Sequence, residues 1–152
     1  LKKHDKPILM IPGNHETLAS VDFLEEMYKP RVYNVHGRGF KLGDASFIAC
    51  GSGNIGLFQL TEQEVKESLE KGLREAGDGE KKILITHVPP YGTILDDMGW
   101  THAGSKAVRE FIEEHQPDVC FCGHIHETAG MMDQIGKTKI VNVGFGDKIF
   151  EI

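Results

Sequence analysis

Pro7-Ile8-Leu9-Met10-Ile11-Pro12-Gly13-Asn14-His15-Glu16 is the stretch on which the fold turns. Its first six residues form a continuous apolar run, which predicts a short strand buried on both faces by helices or a second sheet. Gly13 stops the run, so the polar residues after it emerge at a strand's end. From Thr17 to Tyr28, apolar Leu18, Val21, Leu24 and Tyr28 recur at the spacing of an amphipathic helix that stops before Pro30. Strand, polar loop and helix make the first unit.

Outward from this unit the pattern repeats with variations. Arg31 to Val35, Phe40 to Leu42 and Ser46 to Cys50 read as strands, with a hairpin turn at Gly43-Asp44. Thr61 with Glu64 three residues on is a capping box, and Val65, Leu69 and Leu73 line one face of the helix that Gly77 ends. Lys82 to Thr86 is a second buried strand ending at His87, followed by a long loop through Pro89, Pro90, Gly92, Gly99 and Gly104. Ser105 caps a third helix, with Val108, Phe111, Ile112 and His115 on one face and Pro117 beyond its end. Val119 to Cys122 is a third buried strand. Met131 to Ile135, Lys139 to Val143 and Lys148 to Ile152 read as short closing strands, the first two joined by a turn at Gly136-Lys137. Strands alternating with helices and closing in hairpins predict an α/β domain with mixed sheets.

Composition narrows the function classes. A chain of 152 residues with 39% apolar and 26% charged residues is one ordinary globular domain's worth. The net charge of -6 works against sequence-independent binding of nucleic acid, which needs clustered cations for phosphates. The longest apolar run, Pro7 to Pro12, is far short of the ~20 residues of a membrane span, and no secretory signal pattern precedes it. A soluble, cytoplasmic protein is the expectation. The three cysteines are an odd number, and Cys120 and Cys122 share a face of one strand, so reduced core thiols are expected rather than a disulfide or zinc site.

Three predicted strands end in a ligand type. Asn14-His15 follows the first, His87 ends the second, and His124 with His126 follows the third. In open α/β sheets, ligands bind at the carboxyl ends of parallel strands. Imidazole and amide oxygen suit divalent ions such as zinc, manganese or iron. Gly13 and Gly123 are expected to let the backbone turn sharply before these side chains. His102 lies just before the third helix, where an anion could sit against free backbone donors, and is a candidate substrate contact. His4, His36 and His115 read as surface or helix-face residues.

Gly13-Asn14-His15-Glu16, Thr86-His87 and Gly123-His124-Ile125-His126, in this order, resemble the last three motifs of the calcineurin-like metallophosphoesterases. The resemblance runs from Pro7 to the strands around Val141-Asn142-Val143-Gly144. It implies a four-layer αββα sandwich of two mixed sheets and a metal-dependent hydrolysis of a small phosphate monoester or diester. It further implies two divalent ions, manganese first, with iron, zinc or nickel as alternatives. Asn14, His87 and His124 would hold the second ion and His126 the first. His15 would act as the catalytic histidine on the phosphoryl group or leaving oxygen.

The family's earlier Asp-x-His and Gly-Asp-x-x-Asp motifs have no counterpart in this chain. Gly43-Asp44 follows Asn14 rather than preceding it and lies in the predicted hairpin. The expectation is therefore an N-terminally truncated domain lacking its first strand and helix units, with an exposed strand edge that invites self-association. Two other classes stand beside the enzyme: a non-catalytic domain keeping one ion to bind a partner, and an interaction module with no metal.

Overall fold

The computed structural model describes residues 6–54, 56–146 and 148–152. Eight strands and three α-helices follow in the order β1 (Ile8–Met10), α1 (Leu18–Tyr28), β2 (Val32–Asn34), β3 (Arg38–Leu42), β4 (Ala45–Cys50), α2 (Glu62–Ala76), β5 (Lys81–Thr86), α3 (Lys106–His115), β6 (Val119–Cys122), β7 (Met132–Ile135) and β8 (Thr138–Asn142). β1 and β2 form a parallel pair, and the other six strands form a mixed sheet in the order β3-β4-β5-β6-β8-β7. The four inner strands of that sheet run parallel, flanked by the antiparallel strands β3 and β7.

Register explains why the central strands read as unbroken apolar runs. Ile48, Leu84, Cys120 and Ile140 are partners across four neighbouring strands. All four belong to the core that α2 and α3 cover through Val65, Leu69, Val108, Phe111 and Ile112. The alternate residues Ile83, Val119 and Val141 gather on the opposite face with Phe47, Ile85 and Phe121. A strand whose two faces are both apolar has no polar set to show. The hairpin at Gly43-Asp44, the capping box of Thr61 and Glu64, and the Ser105 cap all form as the sequence predicts. The three cysteines are free and buried, and burial pushes Cys50 and Cys120 up to about 12.

Several expectations are corrected. Lys148–Ile152 forms no strand; Phe150 instead lays its ring 4.7 Å from that of Phe121, so the segment packs by side chains rather than backbone pairing. β1 is only half-buried, although its partner β2 buries Val32 and Asn34. α1 forms over the predicted span, but only Val21 of its apolar stripe is buried, while Leu18 and Tyr28 are exposed. His36 is half-buried rather than at the surface, and His4 lies outside the described residues. Among the described residues no helix is long and apolar enough to cross a membrane.

Candidate metal centre

The ends of β1, β5 and β6 converge. His87, one residue past β5, donates its backbone N–H to the Cys50 carbonyl at the end of β4 and accepts at its own carbonyl from Gly123 N–H. That pairing ties the β5 and β6 exits together. His124 follows with φ of 68°, and Ile125 N–H reaches back to the Gly123 carbonyl at 2.8 Å. This is a γ-turn centred on a non-glycine residue, a sparsely populated and strained conformation. The sequence expectation is corrected here: neither Gly13 nor Gly123 has positive φ, and the sharp turn falls on His124 itself. Gly13 matters through close approach instead: a Cβ there would press at 3.3 Å on the His87 ring, while the nearer Glu16 carboxylate is the end of an exposed side chain that can swing aside.

Asn142 holds the strained turn. Its side chain, 1% exposed, donates to the Ile125 carbonyl at 2.8 Å and to Thr128 Oγ1 at 2.9 Å, and accepts from Gly144 N–H at 3.0 Å. The sequence assigns this residue no role beyond its place in the closing strands. Its one signal was a lone amide between valines at the end of a strand. On the other side, Leu57 and Phe58 N–H groups both donate to the Asn14 carbonyl. Gly56 backs against the Asn14 amide, where a Cβ would collide with Nδ2.

Asn14 Oδ1 lies 2.9 Å from His87 Nε2, and His124 Nδ1 lies 3.1 Å from the same nitrogen. A single imidazole nitrogen is thus shared by an amide oxygen and a second ring nitrogen. One proton on it serves one contact and leaves the other without a donor aimed at its lone pair. Three lone-pair atoms meeting in this way match the donor set of a divalent cation. Burial lowers His87 to about 4, with the nearby His124, His15 and His126 adding to the shift. His124 is lowered too, first by burial and then by His126 and His15. Both shifts favour the neutral ring, the form that ligates a metal.

His126 opens a single 3-10 turn (His126–Thr128), its exposed ring 4.7 Å from that of Phe145. It does not join the knot, because His87, His124 and His126 do not bring three ring nitrogens within 4.8 Å of one another. His87, His124 and His126 line a cleft of about 370 Å³ together with Ile85, Phe121 and Val143. His15 is exposed, one residue after Asn14.

His102 belongs to a different arrangement. Its Nδ1 lies 2.9 Å from Oδ1 of the fully buried Asp96, which raises its pKa. Asp96 also accepts from the N–H groups of Gly92, Thr93 and Gly104, so it organises the long loop before α3. The anion imagined at the α3 N-terminus is supplied by the protein. Glu62 Oε2 accepts from Ser105 Oγ at 2.7 Å and Ala107 N–H at 2.8 Å. No external anion is needed there.

The family model described as calcineurin-like phosphoesterase matches residues 1–128. An uncharacterized protein of Methanocaldococcus jannaschii is 31% identical over 141 residues, which covers 89% of this chain and 62% of that protein. A UPF0046 protein of Caenorhabditis elegans is 34% identical over 68 residues, covering 45% of this chain and 23% of its own length. The chain therefore spans less than two thirds of these relatives. Among solved structures, a protein of Thermus thermophilus aligns with a TM-score of 0.67 at 19% identity, over 91% of this chain and 63% of that one. A second reaches 0.70 at 21% identity, over 90% of this chain and 56% of its own. At these identities the structural likeness speaks for the fold alone.

Proposed function

This chain belongs to the calcineurin-like phosphoesterase family, and from that premise we propose that it carries much of a divalent-metal site for hydrolysing a phosphate monoester or diester. The observation that carries the reading is the knot of Asn14 Oδ1, His87 Nε2 and His124 Nδ1, with the other two atoms 2.9 and 3.1 Å from the one His87 nitrogen. In this reading those three atoms hold one ion, and His126 serves a second. Manganese is the first choice; iron, zinc or nickel suit the same donors. When bound, such ions polarise phosphoryl oxygens and lower the pKa of water.

The chain's own residues supply the rest. Neutral His87 and His124 offer lone pairs without first losing a proton. His15 is assigned to the phosphoryl group, where it donates to an oxygen or protonates the leaving group. Its exposed ring, close enough to contribute to the shifts of both His87 and His124, supports that assignment. His102 is built into its loop by Asp96 and has no part in the proposal.

A second reading, a domain that keeps one ion for binding and does no catalysis, is favoured by one observation. Among the described residues, no Asp or Glu brings a ligand atom within 4.8 Å of both His87 and His124. Hydrolysis of p-nitrophenyl phosphate and its bis ester with Mn²⁺ separates the two, measured on the longest natural product containing this chain. The proposal expects turnover that falls roughly a hundredfold in His15→Ala. A product that binds Mn²⁺ yet turns over neither ester supports the second reading.

A further inference from the structure

His36 lies outside the ligand knot, yet a continuous set of contacts runs from its ring to Asn14. It is half-buried where β2 leads into β3, its N–H donating to Asn34 Oδ1 at 3.1 Å. Its Nδ1 accepts from the backbone N–H of Gly51 at 2.9 Å. An Nδ1 that accepts requires the proton on Nε2, which fixes the neutral tautomer. Gly51 is pressed against the strand that carries Asn14: a Cβ on it would run into the Pro12 ring and the Pro12 carbonyl oxygen. The next residue, Ser52, donates its N–H to the Pro12 carbonyl at 2.7 Å. Ser52 Oγ donates to the Phe58 carbonyl, and Leu57 and Phe58 N–H groups close the loop onto the Asn14 carbonyl at 3.1 and 3.0 Å. The preceding residue, Cys50, accepts from His87 N–H. Residues 50–52 are thus the common frame of Asn14 and His87, and His36 satisfies the Gly51 N–H at its centre.

We infer that His36 is a positioning residue of the metal site: as a neutral hydrogen-bond acceptor it holds the Gly51–Phe58 loop, which sets Asn14 Oδ1 against His87. The inference rests on the metal reading above for its consequence, but the loop contacts stand apart from it. An imidazolium at this position would turn an Nδ1–H toward Gly51 N–H, donor against donor. The charges around the ring come from two helices. Asp22 of α1 favours the charged form, Lys71 of α2 opposes it, and Glu64 and Glu67 of α2 line the same recess. Burial is the largest influence and lowers the pKa.

Two variants test the role in the full chain. His36→Leu removes the acceptor, while His36→Asn places an amide oxygen near the Nδ1 position and does not titrate. Two quantities are read on each: amide hydrogen exchange of Ser52, Leu57 and Phe58 without metal, and Mn²⁺ affinity by calorimetry. The expected result is lost protection and a roughly tenfold weaker Mn²⁺ affinity in His36→Leu, with both restored in His36→Asn. Should His36→Leu not fold, the pH profile decides: wild type loses protection at these amides on acidification, and His36→Asn keeps it. Unchanged protection in His36→Leu, or identical pH profiles of wild type and His36→Asn, overturns the inference whether or not Mn²⁺ binds. Lost protection with undiminished Mn²⁺ affinity overturns it as well. A wild type that binds no Mn²⁺ overturns the metal reading and the positioning role together, and the exchange data distinguish that failure from a loop that His36 does not hold.

Discussion

In the six-stranded sheet, Ile48, Leu84, Cys120 and Ile140 stand in register beneath α2 and α3, none more than 1% exposed. Beside the β1–β2 pair, α1 leaves Leu18 45%, Phe23 63% and Met27 59% exposed. Arg31, at the entry to β2, has buried Nε and Nη2 atoms without a hydrogen-bond partner among the described residues. Both regions deliver ligands to one point, but by different means. His87 and His124 are fixed by the strands that carry them and by Asn142 behind the turn. Asn14 comes from the thinly packed side and depends on a loop borrowed from the end of β4. Two of the three ligands thus sit on the well-packed sheet, and the third on a loop closed by backbone hydrogen bonds.

The contrast can be broken by substitution. Leu84→Ala, at a fully buried position under both helices, should cost about 2 to 5 kcal/mol in denaturant unfolding. A cost under about 1 kcal/mol would mean that the large sheet is not the stable half. Asn142→Leu removes three buried hydrogen bonds, one of them to the His124 turn at the Ile125 carbonyl, and should cost about 1 to 3 kcal/mol. Mn²⁺ affinity should fall with it, roughly tenfold; loss of stability with full affinity would show that His124 needs no such support.

Acid should act next. The unfolded chain protonates its imidazoles near 6.5, whereas folded His87 does so at about 4, and His36 and His124 are also lowered. Between those values the unfolded state binds more protons, so stability of the metal-free chain should be full above about pH 6.5 and fall toward about pH 4. His102, raised by Asp96, opposes this from an exposed position. Melting temperatures that stay level from neutral pH down to about pH 4.5 would contradict the shifts. The smallest effect belongs to α1: Phe23→Ser should change stability by no more than about 0.5 kcal/mol, because the ring is already in water.

How much of this was legible depends on the scale of the signal. The capped helices α2 and α3 and the strands β5 and β6 carry local patterns that tertiary packing reinforces, so their positions were readable. Lys148–Ile152 has strand-like alternation, but no strand edge takes up its backbone, and a side-chain pattern cannot report that. The meeting of Asn14, His87 and His124 could be inferred from three strand ends in a row. Asn142, Glu62, Asp96 and His36 could not, because each acts through a hydrogen bond to a residue at least six positions away in sequence or to a backbone group. The glycine before a ligand was read as the turn, whereas the strain sits on the ligand.

Calorimetric titration of Mn²⁺ into the metal-stripped chain, compared with Asn14→Ala and His124→Ala, tests the central claim most directly. The account predicts an ion bound by wild type, lost in His124→Ala and weakened at least about tenfold in Asn14→Ala, with each variant still folded by circular dichroism. Binding of equal strength in all three, or no binding to wild type, would contradict it.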